Sequence, residues 1–320
     1  MSPPTSDRAL SDEAPFRKVA IIGLGLQGGS IGLALAAALP AIATTGYDLS
    51  AANRQRAAER GLVGQVCATA PEAVTGADLV IFCVPPGAMG AAAAEVAGAL
   101  APDAIVSDVG SSKVLIGAAL AEALPAAAAA GRVIPAHPVA GTENSGPDAG
   151  FATLFRQRWC IITPPPHVDA AGLARLVALW EAIGARVELM EPAHHDRVLA
   201  VTSHLPHLIA YTIVGTAGDL EEVTQSEVIK YSAGGFRDFT RIAASDPTMW
   251  RDVFLSNREA VLEMLQRFTE DLTELQKAIR LGDGAKLFDH FTRTRAIRRS
   301  IIEQGQDDAR PDFGRSDHAR

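Results

Sequence analysis

Short apolar runs alternate with helix-compatible segments through the first 190 residues of the chain. Six runs have the length and composition of buried strands: Lys18–Ile22, Thr44–Asp48, Asp78–Val84, Ala104–Asp108, Arg132–Ala136 and Trp159–Thr163. Helical segments and one further strand complete the pattern: Ala51–Arg60, Met89–Leu100, Lys113–Leu124, Ala170–Ile183 and the strand Ala185–Met190. This alternation predicts an α/β domain built on a doubly wound parallel sheet.

The pattern changes at residue 193, where long stretches of helical character begin. They are His194–Thr216, Leu220–Ser232, Pro247–Leu281 and Ala285–Glu303, the last with Asp283 as its expected N-cap. We therefore expect an α/β domain over 17–192, an all-helical domain over 193–303, and flexible tails at 1–16 and 304–320. Two very long helices are hard to bury within one protomer, so the helical domain is expected to form a homodimer.

A glycine-rich stretch follows the first apolar run, where a strand would turn into a helix. Gly23, Gly25 and Gly28 have the spacing G-x-G-x-x-G. In a dinucleotide site the first glycine permits the tight turn, the second admits the pyrophosphate, and the third lets the helix pack against the strand. The free N–H groups at the helix start, around Leu26 and Gln27, would favour a phosphate there. The alternative is a glycine-rich turn that binds no ligand.

Asp48 ends the second apolar run at the distance from the glycines that a dinucleotide site requires. It lies 48 − 28 = 20 residues after Gly28, where a carboxylate is expected to bind the adenosine ribose. Together with the glycines it predicts a Rossmann-like domain that binds NAD, because a carboxylate repels the 2′-phosphate of NADP. Arg54 and Arg56 lie further on, and a rotated loop would let either one neutralise that phosphate.

Composition excludes several classes of protein. The chain has 320 residues, of which 48% are hydrophobic and 21% charged, with a net charge of −8, so we expect no nucleic-acid surface. Cys67, Cys83 and Cys160 lack metal-ligand spacing and are expected to be buried, reduced thiols; no metal site is expected. The polar start lacks the apolar core of a signal peptide, and no apolar run reaches membrane-spanning length, so a cytoplasmic protein without membrane contact is expected.

Two candidate chemical clusters lie at predicted strand ends, the edge at which open α/β sheets bind ligands. Ser111 follows a strand and precedes a helix, and its alternative role is a helix N-cap. His137 ends a strand and is followed by Pro138, which holds it on a rigid edge. Histidine titrates near neutral pH and so suits proton transfer. The alternative for His137 is a structural histidine bonded to backbone.

Two further clusters lie in the helical part. Ser203 and His207 are four residues apart on one helix face, beside a kink expected at Pro206, and could instead satisfy backbone groups there. Arg241 ends a glycine-rich break between helices, where a guanidinium could bind a carboxylate; the alternative is an Arg–Asp surface pair. The adjacent His194 and His195 are expected to be exposed residues at a helix start.

These clusters together resemble the prephenate/arogenate (cyclohexadienyl) dehydrogenases of tyrosine biosynthesis. The matching segments follow the family's order and span most of residues 17–300: GLGLQGGS, DVGSSK, HPVAGTENSG, LFRQRWCIITP, VTSHLPHLIAY and GGFRDFTRIAASDPTMWRDVF. The resemblance implies NAD-dependent oxidative decarboxylation of prephenate to 4-hydroxyphenylpyruvate, by a homodimer acting on a small molecule. Gln27 stands where relatives more often have an apolar residue, and little consequence is expected.

The resemblance also implies roles for single residues. His137 would accept the hydrogen bond and the proton of the ring hydroxyl, and Ser111 would orient His137. Arg241 would bind a substrate carboxylate, with Ser203 and His207 nearby.

The remaining implied roles concern the entrance to the site. Glu143 and Asp238 would shape the entrance and its ionic network, and Trp250 would come from the partner subunit.

Three other functions remain open at the level of sequence. The chain could prefer arogenate or accept both substrates, although His207 slightly favours the keto acid. It could be another hydroxy-acid or imine dehydrogenase of the same layout; these often rely on a lysine in the helical domain, where Lys230 has no catalytic motif around it. It could also be a non-catalytic dinucleotide sensor, against which the joint presence of Ser111, His137 and Arg241 argues.

Overall fold

The computed structural model describes residues 14–224 and 234–303, excluding the side chains of 220–224 and 302–303. The described chain divides into two compact units, one ending at Leu262 and the other beginning at Glu263. The expected tail over 304–320, most of the expected tail over 1–16 and part of the expected helix Leu220–Ser232, with Lys230, lie outside the described residues.

The first unit is built on a five-stranded parallel sheet in the order β3-β2-β1-β4-β5. Its strands are β1 (Lys18–Ile22), β2 (Ala43–Tyr47), β3 (Gln65–Val66), β4 (Leu79–Phe82) and β5 (Ile105–Asp108). The helices connecting and following them are α1 (Leu26–Ala38), α2 (Ala51–Glu59), α3 (Ala70–Val74), α4 (Met89–Val96), α5 (Val114–Ala123) and α6 (Pro125–Ala129). The Rossmann-like fold class is thereby confirmed, whereas the short β3, α3 and α6 are not among the predicted elements.

The predicted strand Arg132–Ala136 is wrong in its position. Only Val133 bridges to β5, and the strand proper is β6 (Ala136–Pro138). Pro135 has no N–H with which to continue the β5 ladder, and its carbonyl instead accepts from Thr163 N at 2.9 Å. The chain therefore leaves the parallel sheet at Pro135 and starts a second sheet.

The second sheet has three strands and is mixed. β6 pairs antiparallel with β7 (Trp159–Ile162), and β7 pairs parallel with β8 (Arg186–Leu189). Helix α7 (Ala170–Ala182) connects β7 to β8 and buries Trp180 completely.

The two faces of the parallel sheet are covered by separate apolar cores. Val19 and Ile21 of β1 lie in one core, with α1 and α7, whereas Ala20 and Ile22 lie in the other, with α4 and α5. A strand buried on both faces has no polar side to alternate with, which explains its continuous apolar sequence.

Helices make up the described chain from residue 192 onward. They are α8 (Pro192–Leu199), a π-helical turn (Ala200–His204), α9 (Leu205–Thr224), α10 (Gly234–Thr240), a 3₁₀ turn (Arg241–Ala244), α11 (Pro247–Ser256), α12 (Arg258–Leu281) and α13 (Gly284–Glu303). The predicted helix Pro247–Leu281 is in fact two helices, α11 and α12, separated at the buried Asn257. In the second unit, Asp283 caps α13 as expected, accepting from Lys286 N at 3.0 Å.

One continuous helical stretch, Pro192–Asp219, is long and apolar enough by composition to cross a membrane. The sequence-based expectation of no such run is therefore wrong on length and hydropathy. His195, Asp196 and His204 within this stretch are nevertheless buried in the first unit. The first part of this stretch is therefore held by packing within the first unit.

Candidate functional site

The glycine loop between β1 and α1 has the geometry that a dinucleotide needs. Gly23 has φ of +101°, and a Cβ there would lie 2.4 Å from the Cys83 carbonyl oxygen. A Cβ on Gly28 would lie 1.9 Å from the Gly23 carbonyl oxygen, so only glycine lets α1 approach β1 this closely. Around Gly25 the nearest atom to such a Cβ, Gly146 N, is 4.0 Å away. The loop is therefore closed where it packs and open at Gly25, the N-cap of α1, where a phosphate would approach.

Asp48 lies directly beside this loop. One carboxylate oxygen, Oδ2, accepts from Leu24 N at 2.9 Å, and the other accepts from Ser50 N at 2.9 Å. These bonds fix the carboxylate at the end of β2 in the position that the sequence predicts for ribose binding. Arg54 donates to the Asp48 carbonyl at 2.7 Å, and Arg56 pairs with Asp148 at 2.7 Å, so both arginines have other partners.

Gln27 connects the glycine loop to the segment that follows His137. Its amide donates to the Ala140 carbonyl at 2.5 Å, a contact between residues 113 positions apart in sequence. Its carbonyl oxygen is buried and lacks a hydrogen-bond partner within the described part of the chain. Gln27 therefore joins the glycine loop to the segment after His137, whereas the sequence analysis expected little consequence of a glutamine at this position.

His137 occupies the middle of β6, opposite Ile161, with 7% of its surface exposed. Its Nδ1 lies 2.9 Å from Nε2 of His195 on α8, and His195 Nδ1 lies 2.8 Å from Oδ1 of Asp196. The expectation that His195 is exposed is wrong, since its exposed fraction is 0%. Burial, followed by the charge of His195, places the pKa of His137 well below its usual value.

The predicted orienting role of Ser111 does not match this geometry. Within the described residues, Nδ1 of His137 is hydrogen-bonded to His195, and no hydrogen bond joins His137 to the Ser111 side chain. Ser111 does not cap α5 either, because Asp196 accepts from the N–H groups of Lys113 and Val114 at 2.7 and 3.0 Å.

A buried ion pair lies beneath the site. Lys113 Nζ contacts Asp108 Oδ2 at 2.5 Å and donates to the Ala136 carbonyl at 2.6 Å, and both side chains are fully buried. Burial raises the pKa of Asp108 and lowers that of Lys113, and the partner's charge opposes each shift. The pair joins β5 to β6 and so fixes the residue next to His137.

A π-helical turn shapes the wall formed by the helical part. Pro206 has no N–H, and just before it the Leu205 N–H donates to Ala200, five residues back. The Ser203 carbonyl accepts a hydrogen bond from His207 Nδ1 at 2.8 Å. This contact agrees with the alternative given in the sequence analysis, in which the two residues satisfy backbone groups beside Pro206. Burial lowers the pKa of His207.

Trp250 stacks on His207 of the same chain, with ring centroids 3.5 Å apart. It is 6% exposed, and its indole nitrogen has no hydrogen-bond partner in the described part of the chain. Trp250 thus packs against His207 within its own chain, and the expectation that a partner subunit supplies this tryptophan stays a prediction. Its ring completes a wall with His207 and, at 6.1 Å, His204.

Arg241 and Glu143 are brought together from positions 98 residues apart. Arg241 Nη1 contacts Glu143 Oε2 at 2.7 Å, and both side chains remain partly exposed. The charge of Arg241 adds to the effect of burial in lowering the pKa of His207. Asp238 lies on α10, where its carboxylate is 3.9 Å from Arg237, on an exposed face.

These features define a dinucleotide-binding fold with a buried histidine site between strand ends and helices, as in a dehydrogenase. Residues 31–189 match the model of the prephenate dehydrogenase nucleotide-binding domain, and residues 191–293 match that of the prephenate dehydrogenase dimerization domain. The chain therefore belongs to the prephenate dehydrogenase family.

Relatives and solved structures agree with this assignment. The chain is 44% identical to the cyclohexadienyl dehydrogenase of Zymomonas mobilis, over 89% of this chain and 96% of that protein. It is 30% identical to the prephenate dehydrogenase of Bacillus subtilis, over 85% of this chain and 73% of that protein. The structure of Aquifex aeolicus prephenate dehydrogenase with hydroxyphenyl propionate and NAD⁺ superposes with a TM-score of 0.82 at 32% identity, covering 89% and 98% of the two chains.

Proposed function

We propose that this protein catalyses the NAD-dependent oxidative decarboxylation of prephenate to 4-hydroxyphenylpyruvate in tyrosine biosynthesis. The observation that carries the proposal is the buried His137, held by His195 and connected through the following segment to the glycine loop. The names of the relatives support the substrate class. The NAD⁺ complex of the Aquifex enzyme supports the cofactor.

The residues that would hold NAD are those of the glycine loop and Asp48. Gly25, Leu26 and Gln27 stand at the start of α1, where backbone N–H groups favour the pyrophosphate, and Asp48 would accept from the ribose hydroxyls. When bound, NAD supplies the acceptor for the hydride.

His137 would take the proton of the substrate hydroxyl. Burial keeps its pKa low, so the imidazole is neutral and able to accept at neutral pH. The hydroxyl proton goes to His137, the hydride leaves the same carbon, and the C–C bond to the ring carboxylate breaks to release carbon dioxide. The electron pair of that bond completes the aromatic ring, which provides the driving force.

The substrate carboxylates would be bound from the helical side. Arg241 can bind a carboxylate bidentately while it remains paired with Glu143. We assign the side-chain end of the substrate to the wall of His207 and Trp250, with Ser203 behind it. Asp238 belongs to the exposed rim.

A spectrophotometric assay tests the reaction directly. Reduced nicotinamide should form when the protein is incubated with prephenate and NAD, and more slowly with NADP, because Asp48 repels the 2′-phosphate. His137→Asn should lower turnover by about 10²–10⁴-fold, the usual contribution of a general base. Arogenate in place of prephenate distinguishes a prephenate enzyme from an arogenate-preferring or dual-specificity one. Inactivity on both substrates with both cofactors would refute the proposal and leave another hydroxy-acid dehydrogenase as the candidate.

We further propose that the protein is a homodimer formed by its helical part. The family model over residues 191–293 is that of a dimerization domain. Leu262 and Leu272 are 56% and 52% exposed in the single chain, and Leu265 is partly exposed, so apolar helix faces remain to be covered. Light scattering at micromolar concentration should give twice the mass of one chain, and a monomer mass would contradict this.

The cytoplasm is the compartment we propose for the protein. NAD is available there, and its reducing conditions suit unpaired thiols. Cys67 and Cys160 are buried and Cys83 is partly buried, all three without a disulfide.

A further inference from the structure

A chain of buried polar groups leads away from His137 into the helical part. His137 Nδ1 contacts His195 Nε2, and His195 Nδ1 contacts Asp196 Oδ1. All three side chains are buried, and the two imidazole rings meet edge to face at 74°. His195 and Asp196 are adjacent in sequence at the start of α8, so a single helix turn carries both groups.

The direction of each hydrogen bond follows from the carboxylate. An ionised carboxylate only accepts, and Asp196 already receives the backbone N–H groups of Lys113 and Val114. His195 Nδ1 must therefore carry a hydrogen and donate it to Asp196. A neutral imidazole has one N–H, so Nε2 of His195 has a lone pair and accepts from His137.

The same reasoning determines the hydrogen of His137. Its Nδ1 must be the donor to His195, which leaves the lone pair on Nε2, the ring nitrogen on the other side. Burial lowers the pKa of both histidines, which supports neutral rings at neutral pH. A proton acceptor at Nε2 is what the proposed reaction requires of His137.

We propose that His195, held by Asp196, is a positioning residue that fixes His137 in the Nδ1–H tautomer, so that Nε2 is the proton acceptor. This inference rests on the proposed function only for its catalytic consequence, because the tautomer is a property of the free protein. Ser111 is not needed for this orientation.

The arrangement resembles the general logic of a base oriented by a carboxylate, with one imidazole inserted between them. The second imidazole extends the reach of Asp196, which is itself held at the N-terminus of α5. Because the carboxylate accepts from backbone at both oxygens, it cannot rotate to release His195. The tautomer of the reactive histidine is thus fixed by the backbone of a different element.

The first test is a long-range ¹⁵N NMR spectrum of ¹⁵N-histidine-labelled protein at neutral pH, without substrate. The signals of His137 are assigned by their loss in His137→Asn. We expect Nδ1 of His137 to have the shift of a protonated ring nitrogen and Nε2 that of an unprotonated one. A hydrogen on Nε2 of His137 in the wild-type protein would overturn the inference, whether or not the protein oxidises prephenate.

The second test uses substitutions at His195. His195→Leu removes the acceptor and should shift His137 towards the Nε2–H tautomer, with a loss in kcat of about 10–100-fold, the size known for partners that orient metal-bound histidines. KM should change less, because His195 does not contact the substrate in this arrangement. His195→Gln places an amide oxygen near the former Nε2 and should recover part of the turnover.

His194→Leu is the matched control, because His194 is the exposed neighbour of His195 on the same helix. It should leave both the His137 spectrum and kcat unchanged. If His195→Leu left the His137 tautomer and kcat as in the wild type, His195 would be only a packing residue. Should His195→Leu fail to fold, the wild-type spectrum and His195→Gln still decide the question.

Discussion

Arg241 is the charged residue that we propose binds a carboxylate of the substrate. Its guanidinium has five donors in a planar fork, and its contact with Glu143 at 2.7 Å engages one edge. The side chain is 46% exposed, so it can meet a ligand without first losing a buried partner. The net charge of −8 makes such a local cation necessary for a dianionic substrate.

Arg241→Ala should raise the KM for prephenate by at least about 10-fold, because a carboxylate loses its charged partner. Arg241→Lys should recover only part of the loss, since lysine keeps the charge without the fork. Turnover at saturating substrate should change less, because the contact exists in the ground state and the transition state alike. Steady-state kinetics measures both constants.

Arg237 provides the control for Arg241, because it lies four residues earlier with a 72% exposed side chain. Arg237→Ala should leave KM within about twofold, as expected for a surface charge away from the substrate. A larger effect at Arg237 than at Arg241 would show that the substrate lies elsewhere.

Single residues also show where sequence reasoning succeeds and fails. His137 precedes Pro138, and Arg241 ends a segment that begins with two glycines; both segments are unusual enough in composition to single these residues out, and their roles stay predictions. His195 was missed because it follows Pro192 in a polar helix start that looks solvated. One signal was present: His195 and Leu199 are four residues apart, and both are buried on one face of α8.

At the scale of elements, the turn between β1 and α1 contains one glycine that packing requires and another that leaves room for a ligand. Gly28 is required by packing, because a Cβ would meet the Gly23 carbonyl oxygen at 1.9 Å. Gly25 faces open space and has an extended backbone that other residues can adopt. Helix packing therefore requires glycine at position 28, whereas access for the ligand favours glycine at position 25.

Substitution by alanine should separate these two reasons. Gly28→Ala should destabilise the protein by several kcal/mol, because α1 must move away from β1. Gly25→Ala should leave the free energy of unfolding nearly unchanged but weaken NAD binding, since the added methyl occupies the approach of the pyrophosphate. Urea unfolding and calorimetric titration with NAD measure the two quantities. Equal stability losses in both variants would contradict this division.

The elements that the sequence misplaces are those set by distant contacts. The turn at Pro135 sends the chain from one sheet to the next, and this depends on β7, which lies further along the chain. The break between α11 and α12 lies at Asn257, whose amide donates to the Asp196 carbonyl at 2.8 Å and lies 3.1 Å from His204 Nδ1. Local periodicity contains no information on such partners, whereas strands buried on both faces are evident from composition.

At the scale of the whole chain, the boundary between the two compact units differs from the boundary between the two family domains. The two family models meet between residues 189 and 191, close to the boundary predicted at 192/193, which stays a prediction. The first compact unit, however, continues to Leu262. Two contacts join the helices after residue 192 to the α/β part: Asp196 caps α5, and His195 pairs with His137. The chemistry of the site is thus located where both parts contribute.

Acid sensitivity is the stability property that follows from this construction. Four histidines of the site have pKa values lowered chiefly by burial: His137, His195, His204 and His207. For His204 the pKa falls to about 4. A group whose folded pKa is depressed binds fewer protons in the folded state than in the unfolded state. Its stabilising contribution is therefore complete above the unfolded pKa of about 6.5 and is lost as the pH falls below it.

The free energy of unfolding should accordingly fall between pH 6.5 and pH 4 by up to about 1.4 kcal/mol per pH unit for each histidine that stays neutral in the fold. Urea unfolding at one fixed protein concentration measures this slope, which keeps any dimer contribution constant. His204→Gln should reduce the slope by up to about 1.4 kcal/mol per pH unit, the contribution of one proton. The buried pair of Asp108 and Lys113 is present in both the wild type and this variant and cancels in the comparison. A slope that is unchanged by His204→Gln would mean that this ring is protonated at the same pH in the folded and unfolded chains.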